Sequence, residues 1–275
     1  MAGSEPIDQA ATPAARFRRF RVVEKHRDND LISSFVLAPE DPADWCTFHP
    51  GQFLSIKIPR TEGRPVLRNY SVSSDPAIRG SYRITVKREA APQADLPDGI
   101  GSSYLHDQIE VGSTLDMAGP RGHFYLDETS TRPLVLLSGG VGLTPRVAML
   151  HVAARQTGRK IWFIHACRNG EHQALADEVK AVATQHPTIV SHTVYQSPTA
   201  TDRIAGRFNS EGFIDRECLQ ALLPPDDYEC YLCGPPAFMQ AVYDTLRGLG
   251  IPDERIAYEF FGPATVLNKT PTEPL

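Results

Sequence analysis

The chain has 275 residues, 41% hydrophobic and 22% charged, a balance that places it among globular proteins with two modest domains or one large one. Its net charge of -5 excludes nucleic acid as a main partner, because neutralising phosphates takes a basic surface, although a basic protein partner fits. No run approaches the roughly 20 apolar residues that span a bilayer. The opening MAGSEPIDQAATPAA also lacks the basic start and apolar stretch of a signal peptide, so residues 1–15 read as a disordered tail and the chain as cytoplasmic, without membrane insertion.

Short β-branched and aromatic runs then recur: RFRVVEK, LISSFVL, GQFLSIKI, RNYSVSS, SYRITVKRE and STLDMAG. Proline and glycine separate them, at Pro39, Pro42, Pro50-Gly51, Pro59, Pro76 and Gly80. Many short strands with frequent turns predict an antiparallel barrel or sandwich, with one short helix around Gly101 to Gln108. Near Arg132-Pro133 the rhythm changes. Strands LVLLS, IWFIHAC, TIVSHTVY, ECYLC and RIAYEFF alternate with helical stretches PRVAMLHVAARQ, HQALADEVKAVATQ, ECLQALL and PAFMQAVYDTLRGLG. Continuous apolar strands alternating with helices predict a mostly parallel sheet covered on both faces. The expected division is therefore a barrel over 16–130, an α/β domain over 131–267 and a tail or linker over 268–275.

Five cysteines, Cys46, Cys167, Cys218, Cys230 and Cys233, are odd in number and scattered, unlike a disulfide framework. Cys230 and Cys233 form a C-x-x-C, but no second pair completes a metal site, so they read as a buried strand.

Where the first parallel strand ends, Ser138 to Pro145 reads SGGVGLTP. Gly139, Gly140 and Gly142 would let the backbone approach a diphosphate, Thr144 could cap the following helix, and Pro145 suits its first position. The pattern is G-x-G-x-x-P, not the usual G-x-G-x-x-G; by itself it fits a cofactor loop or a plain tight turn. Cys233-Gly234-Pro235-Pro236 places bare backbone at another strand end, or simply starts a helix rigidly. In the barrel half, Arg68 and Tyr70 of Arg68-Asn69-Tyr70-Ser71 share one strand face, a cation beside an aromatic plate; a solvated Arg and a core Tyr would read the same. Ser102 and Ser103 could donate to a phosphate or serve as an ordinary cap. Phe260 and Phe261 put one ring on each face of the last strand.

Taken in order, R-x-Y-S, G-x-x-S-x-x-L, G-G-V-G-x-T-P, C-G-P and a terminal E-x-F-G-P resemble the ferredoxin–NADP reductase superfamily, and within it the reductase half of flavohaemoglobins. The resemblance runs from Phe17 to Leu267. It implies a six-stranded Greek-key barrel for FAD and a parallel α/β domain for NAD(P)H. It implies that Arg68 holds the FAD pyrophosphate, and that Asn69, Tyr70 and Ser71 meet the flavin. Phe53 would lie near FAD, Val86 and Lys87 along the ring edge, and Ser102 and Ser103 at the phosphates. Phe260, Phe261 and Gly262 would close the FAD site, with Phe261 covering the flavin until the nicotinamide displaces it. Gly139, Gly140, Val141, Gly142, Leu143 and Thr144 would cradle the nicotinamide cofactor, and Cys233, Gly234 and Pro235 would lie close to its nicotinamide. Tyr70, Ser71, Cys233 and Phe261 would border the reacting atoms.

Two departures bear on the acceptor. The residues before Arg16 are too few for a globin half, and no cysteine-rich segment after Pro263 could hold an iron–sulfur cluster, which takes four thiolates. The resemblance implies hydride transfer from nicotinamide C4 to flavin N5, then single-electron transfer to a haem or iron–sulfur protein, with no metal of its own. Arg168 points to NADPH and Glu171 to NADH; the flavohaemoglobin likeness favours NADH. Alternatives are a stand-alone reductase of free flavin and an accessory FAD-carrying electron-transfer subunit.

Overall fold

The computed structural model describes residues 16–60, 62–91, 98–261 and 267. The expected tails over 1–15 and 268–275, and Gly262, lie outside the described residues.

Six strands form the first sheet: β1 (Arg18–Arg27), β2 (Ile32–Pro39), β3 (Phe53–Ile58), β4 (Val66–Ser71), β5 (Tyr82–Lys87) and β6 (Thr114–Arg121). Every named pairing is antiparallel, in the order β4-β3-β6-β1-β2-β5. The outer strands approach through the single bridge Val72↔Ile84 and the Ser73 N–H donated to the Arg83 carbonyl at 2.7 Å, so the sheet curls towards closure. Alternation decides what fills it: Phe20 and Val22 point in while Arg19, Arg21 and Val23 point out. One helix, α1 (Ile100–Gln108), lies where the sequence predicts it, its Leu105 in the barrel core.

The second sheet is parallel: β7 (Leu134–Gly139), β8 (Ile161–Cys167), β9 (Ile189–Tyr195), β10 (Ser210–Glu211), β11 (Glu229–Cys233) and β12 (Ile256–Glu259), in the order β10-β9-β8-β7-β11-β12. Strand β7 is buried along its whole length, as a strand covered on both faces must be. The helices are α2 (Leu143–Ala154), α3 (Ala176–Gln185), α4 (Ala200–Ala205), α5 (Arg216–Leu222) and α6 (Pro236–Gly248). Neighbours of β7 are β8 on one side and β11 on the other, so the order reverses at its end, where open α/β sheets hold ligands.

Three local expectations differ. Helix α3 starts at Ala176, not near His172, because Gly170–His172 forms a separate 3-10 turn and Leu175 takes a left-handed φ of 53°. Helix α4, unremarked in the sequence, is announced by a capping box in which Thr199 and Asp202 satisfy each other's backbone. Helix α2 begins at Leu143, so Pro145 occupies its third position rather than its first.

Candidate functional site

At the end of β7 the chain passes through a 3-10 turn, Gly140–Gly142, straight into α2. The three glycines serve different ends. Gly140 has a left-handed φ of 53° and open space around it, so it alone buys backbone conformation. A Cβ on Gly142 would overlap the Cys233 carbonyl, and one on Gly139 would stand 2.8 Å from the Phe238 ring. Those two positions let the loops after β7 and β11 touch. Gly234 belongs to the same contact, 3.0 Å from the Gly139 amide at its would-be Cβ.

Thr144 is not the cap that the sequence suggests. It is buried and donates its hydroxyl to the Val141 carbonyl at 3.2 Å, while the N-cap is Gly142, with no side-chain bond. The first turn of α2 therefore keeps backbone N–H groups without side-chain acceptors, which suits an anion.

A cavity of about 540 Å³ opens beside this loop. Gly139, Gly140, Val141, Gly142, Gly234 and Pro235 form one wall, and Lys87 and Phe261 come from the barrel strand β5 and the end of the chain. Phe261 is 42% exposed, whereas Phe260 turns inward onto Tyr258 at 5.8 Å between ring centres. The pair thus divides as its alternation requires, with one ring left to meet a ligand. Leu143, Thr144 and Cys233 do not line the cavity; they lie behind it, and burial pushes the Cys233 thiol up to about 12, so it is not a thiolate. Arg168 lines the cavity and is exposed, while Glu171 does not line it.

The residues that the resemblance assigns to the flavin form a neighbouring patch on the barrel. A Cβ on Gly101 would come within 2.7 Å of the Tyr70 hydroxyl and 2.8 Å of Arg68 Cγ, so both side chains lie over the first turn of α1. Burial raises the Tyr70 hydroxyl far above its ordinary value, partly opposed by Arg68, so the ring stays a neutral plate. Arg68 is exposed and donates to the Leu67 carbonyl at 2.9 Å. Ser103 Oγ is buried and has no hydrogen-bond partner. Ser102 Oγ instead donates to the Gly99 carbonyl and accepts from the Glu89 amide, both at 3.0 Å, so it ties α1 to the barrel. An orphaned hydroxyl, a helix start and a cation over one glycine fit a bound diphosphate.

Asn69 Oδ1 accepts from Ser55, and Ser71 is buried at the end of β4. Phe53 lies under Gly122, with the Arg121 guanidinium 6.0 Å from its ring centre. Val86 points into the barrel core, and its carbonyl meets His106 Nε2 at 2.9 Å.

Two further residues, one of them the acid of the terminal E-x-F-G-P stretch, were given no role in the sequence reading. Arg146, in the first turns of α2, is wholly buried and forms no ion pair among the described residues. Its guanidinium sits 4.7 Å from the Phe124 ring centre, and one nitrogen has no partner. Burial lowers its pKa to about 10, with Cys233 and Glu259 opposing. Glu259, at the end of β12, is raised by burial to about 7, opposed by Arg146. The signals were an arginine on an otherwise apolar helix and a lone acid at the end of an apolar strand. Among the described residues, no group of three His, Cys, Asp or Glu is placed to hold a metal ion, and no helix is long and apolar enough to cross a membrane.

Comparison with known proteins agrees with both halves. Residues 19–125 match the oxidoreductase FAD-binding domain family and residues 136–244 the oxidoreductase NAD-binding domain family. The flavohemoprotein of Bacillus thuringiensis subsp. konkukian is 41% identical over 254 residues, covering 91% of this chain and 62% of its own length. That of Burkholderia sp. (strain TH2) is 44% identical over 253 residues, 91% of this chain and 61% of its own. The chain thus spans about three fifths of these relatives. The FAD/NAD-binding domain of nitric oxide dioxygenase from Vibrio cholerae O1 biovar El Tor superposes with a TM-score of 0.78 at 33% identity, over 90% of this chain and 100% of that one. The chain belongs to the flavohaemoglobin-like FAD- and NAD-binding oxidoreductases, and is an NAD(P)H-dependent flavoprotein reductase.

Proposed function

We propose that this protein is the reductase unit of an electron-transfer system, oxidising NAD(P)H and delivering electrons one at a time to a separate haem or iron–sulfur protein. The carrying observation is the 540 Å³ cavity that joins Lys87, the Gly139 to Gly142 turn and Phe261 in one cleft. Its volume is that of a small-molecule site, and its walls come from both domains. FAD, when bound, would supply the redox chemistry, accepting a hydride equivalent from the nicotinamide and releasing electrons singly.

The chain's own residues bind, orient and exclude water. Arg68, Ser103 and the start of α1 hold the diphosphate of FAD, and Tyr70 plates the ring. The bare amides at the start of α2 hold the nicotinamide diphosphate. Phe261, exposed at the mouth, covers the flavin face until a nicotinamide takes its place. Buried Cys233 shapes the floor behind Gly142 as a neutral thiol. The haem partner is suggested by the flavohemoprotein relatives, and cytoplasmic location by the soluble-type patterning of the sequence.

The test is an anaerobic absorption spectrum of FAD-loaded protein with NADH or NADPH, followed by ferricyanide. Rapid bleaching of the visible flavin absorption and steady turnover are expected. A protein that never takes up FAD sinks the reading. Turnover only with a large excess of free flavin would instead identify a stand-alone flavin reductase. Flavin uptake without turnover would identify an accessory subunit.

A further inference from the structure

Arg146 is a cation that nothing around it neutralises. It is wholly buried, and its hydrogen bonds reach only uncharged atoms. Nε donates to the Leu137 carbonyl and Nη1 to Met149 Sδ, both at 3.4 Å, and Nη2 has no acceptor. Burial lowers its pKa only to about 10, so the guanidinium stays charged at neutral pH. Holding a charge out of water on such terms is costly, and a charge kept at that cost calls for a use.

Its place in the fold says where the charge is felt. Arg146 follows Gly142 by one helical turn, so the two share a face of α2. A Cβ on Gly142 would stand 2.3 Å from the Cys233 carbonyl, so that face is turned to the end of β11. The Leu137 carbonyl lies two residues before Gly139 on β7. Gly139, Gly142 and Gly234 line the 540 Å³ cleft. The guanidinium therefore stands directly behind the glycine wall, one layer of backbone from what the cleft holds. Cys233 pairs in turn with Glu259 of β12, two residues before Phe261 at the cleft mouth. The charge of Arg146 acts on both groups, opposing the rise that burial gives to each. Lys87 and Arg168 also line the cleft, but both reach water, and Lys87 faces Glu89 at 3.5 Å. Solvent screens such charges, whereas the field of a buried and unpaired cation carries further.

We propose that Arg146 tunes the electrostatics of the hydride transfer: its field favours a ring in the cleft that has taken on negative charge. This rests on reading the cleft as the place where the two cofactors meet. A hydride carries two electrons and one proton. A neutral flavin that accepts it gains one negative charge, and the nicotinamide that gives it up is left with one positive charge. A cation behind the wall stabilises the first and disfavours the second, so both effects drive the transfer forward.

The test compares Arg146→Met with the parent, both loaded with FAD, by two measurements. Redox titration against a dye of known potential reads the flavin midpoint. The variant should hold reduced flavin about tenfold less favourably, a midpoint lower by about 30 mV for a two-electron couple. NMR of the Glu259 carboxyl reads the field without any flavin chemistry. Its acid dissociation constant should fall about tenfold, a rise of roughly one pKa unit. An unchanged midpoint overturns the proposal. So does a lowered midpoint with Glu259 unmoved, because the change would then come from repacking and not from the field. If Arg146→Met does not fold, Arg146→Gln makes the same comparison. Protein that takes up no FAD sinks the reading of the cleft and this proposal with it, but the Glu259 titration in the same sample still shows whether the field reaches the strand ends, so the two failures are told apart.

Discussion

Gly142 shows how one residue type hides several purposes. In the sequence it belongs to a loop that could cradle a diphosphate; in the structure it lets two loops of the protein touch, since any side chain would strike the Cys233 carbonyl. Arg68 has the opposite character, exposed and with its charge available over α1. Arg68→Ala should weaken FAD binding by about 2 kcal/mol, roughly thirtyfold, the scale of a hydrogen bond to a charged group; a fluorescence titration of the apoprotein measures it. Arg168 lines the cavity proposed for the nicotinamide and Glu171 does not, so Arg168→Ala should lower kcat/KM for NADPH about tenfold, with a smaller effect for NADH, as loss of one phosphate contact implies. Equal losses for both nucleotides would remove Arg168 from the 2′-phosphate. Glu259 carries a pH prediction. Its folded pKa, raised by burial to about 7, lies above the unfolded value of 4.5. The folded state therefore binds more protons between those values, and this group's contribution to stability falls as pH rises from 4.5 and levels off above 7. Glu259→Gln should gain stability over the parent across that window, seen as a widening gap in melting temperature from pH 5 to pH 8.

Among the elements, α2 has the most to do. It starts at the glycine turn after β7, packs on β7, and is buried from Leu143 to Leu150 without a break. A helix apolar all round belongs between two layers, and here the second layer is the barrel: a Cβ on Gly51 would sit 2.8 Å from the Met149 methyl. Arg146 is the exception on this helix, a cation sunk without a carboxylate. A buried cation with no ion pair carries its desolvation cost without a compensating counter-charge. Arg146→Met should therefore raise the melting temperature. A fall would mean that the cation–π contact with Phe124 outweighs the cost of burying the charge.

For the whole molecule, the site exists only because the two sheets are held at one angle. Polar contacts hold them at the α2–α3 edge: Arg83 with Glu178, and Arg155 with Asp75 at 2.8 Å, while His151 on α2 braces Glu178 from its own domain through Nε2 at 2.6 Å. Glu178 sits between groups from both domains, and His151 with Arg83 beside it holds its carboxyl below the usual range against the effect of burial. Glu178→Ala should loosen the pairing of the domains. We expect faster proteolysis between them and a broadened or divided calorimetric transition, with FAD affinity little changed because Arg68, Tyr70 and Ser103 lie wholly on the barrel side. A single sharp transition at the parent temperature would show that the apolar contact around Gly51 and Met149 suffices.

Much of this architecture was legible in the chain itself, because strand alternation and helical period are properties of neighbours in sequence. The barrel strands, the parallel strands, the helix at Gly101 to Gln108, the loop after β7 and the shared face of Arg68 and Tyr70 all follow from such local rules. What no local rule could reach was which distant surfaces meet. Gly142 against Cys233, Arg146 beneath Phe124, Lys87 and Phe261 in one cleft, and His165 bonded to Ser138 are contacts across domains or across a sheet. Burial, and with it the titration of Glu259 and His165, is set by those contacts. Hence the sequence alone determines the two cofactor folds, whereas the protonation states and the shape of the cleft are decided only when the folds pack together.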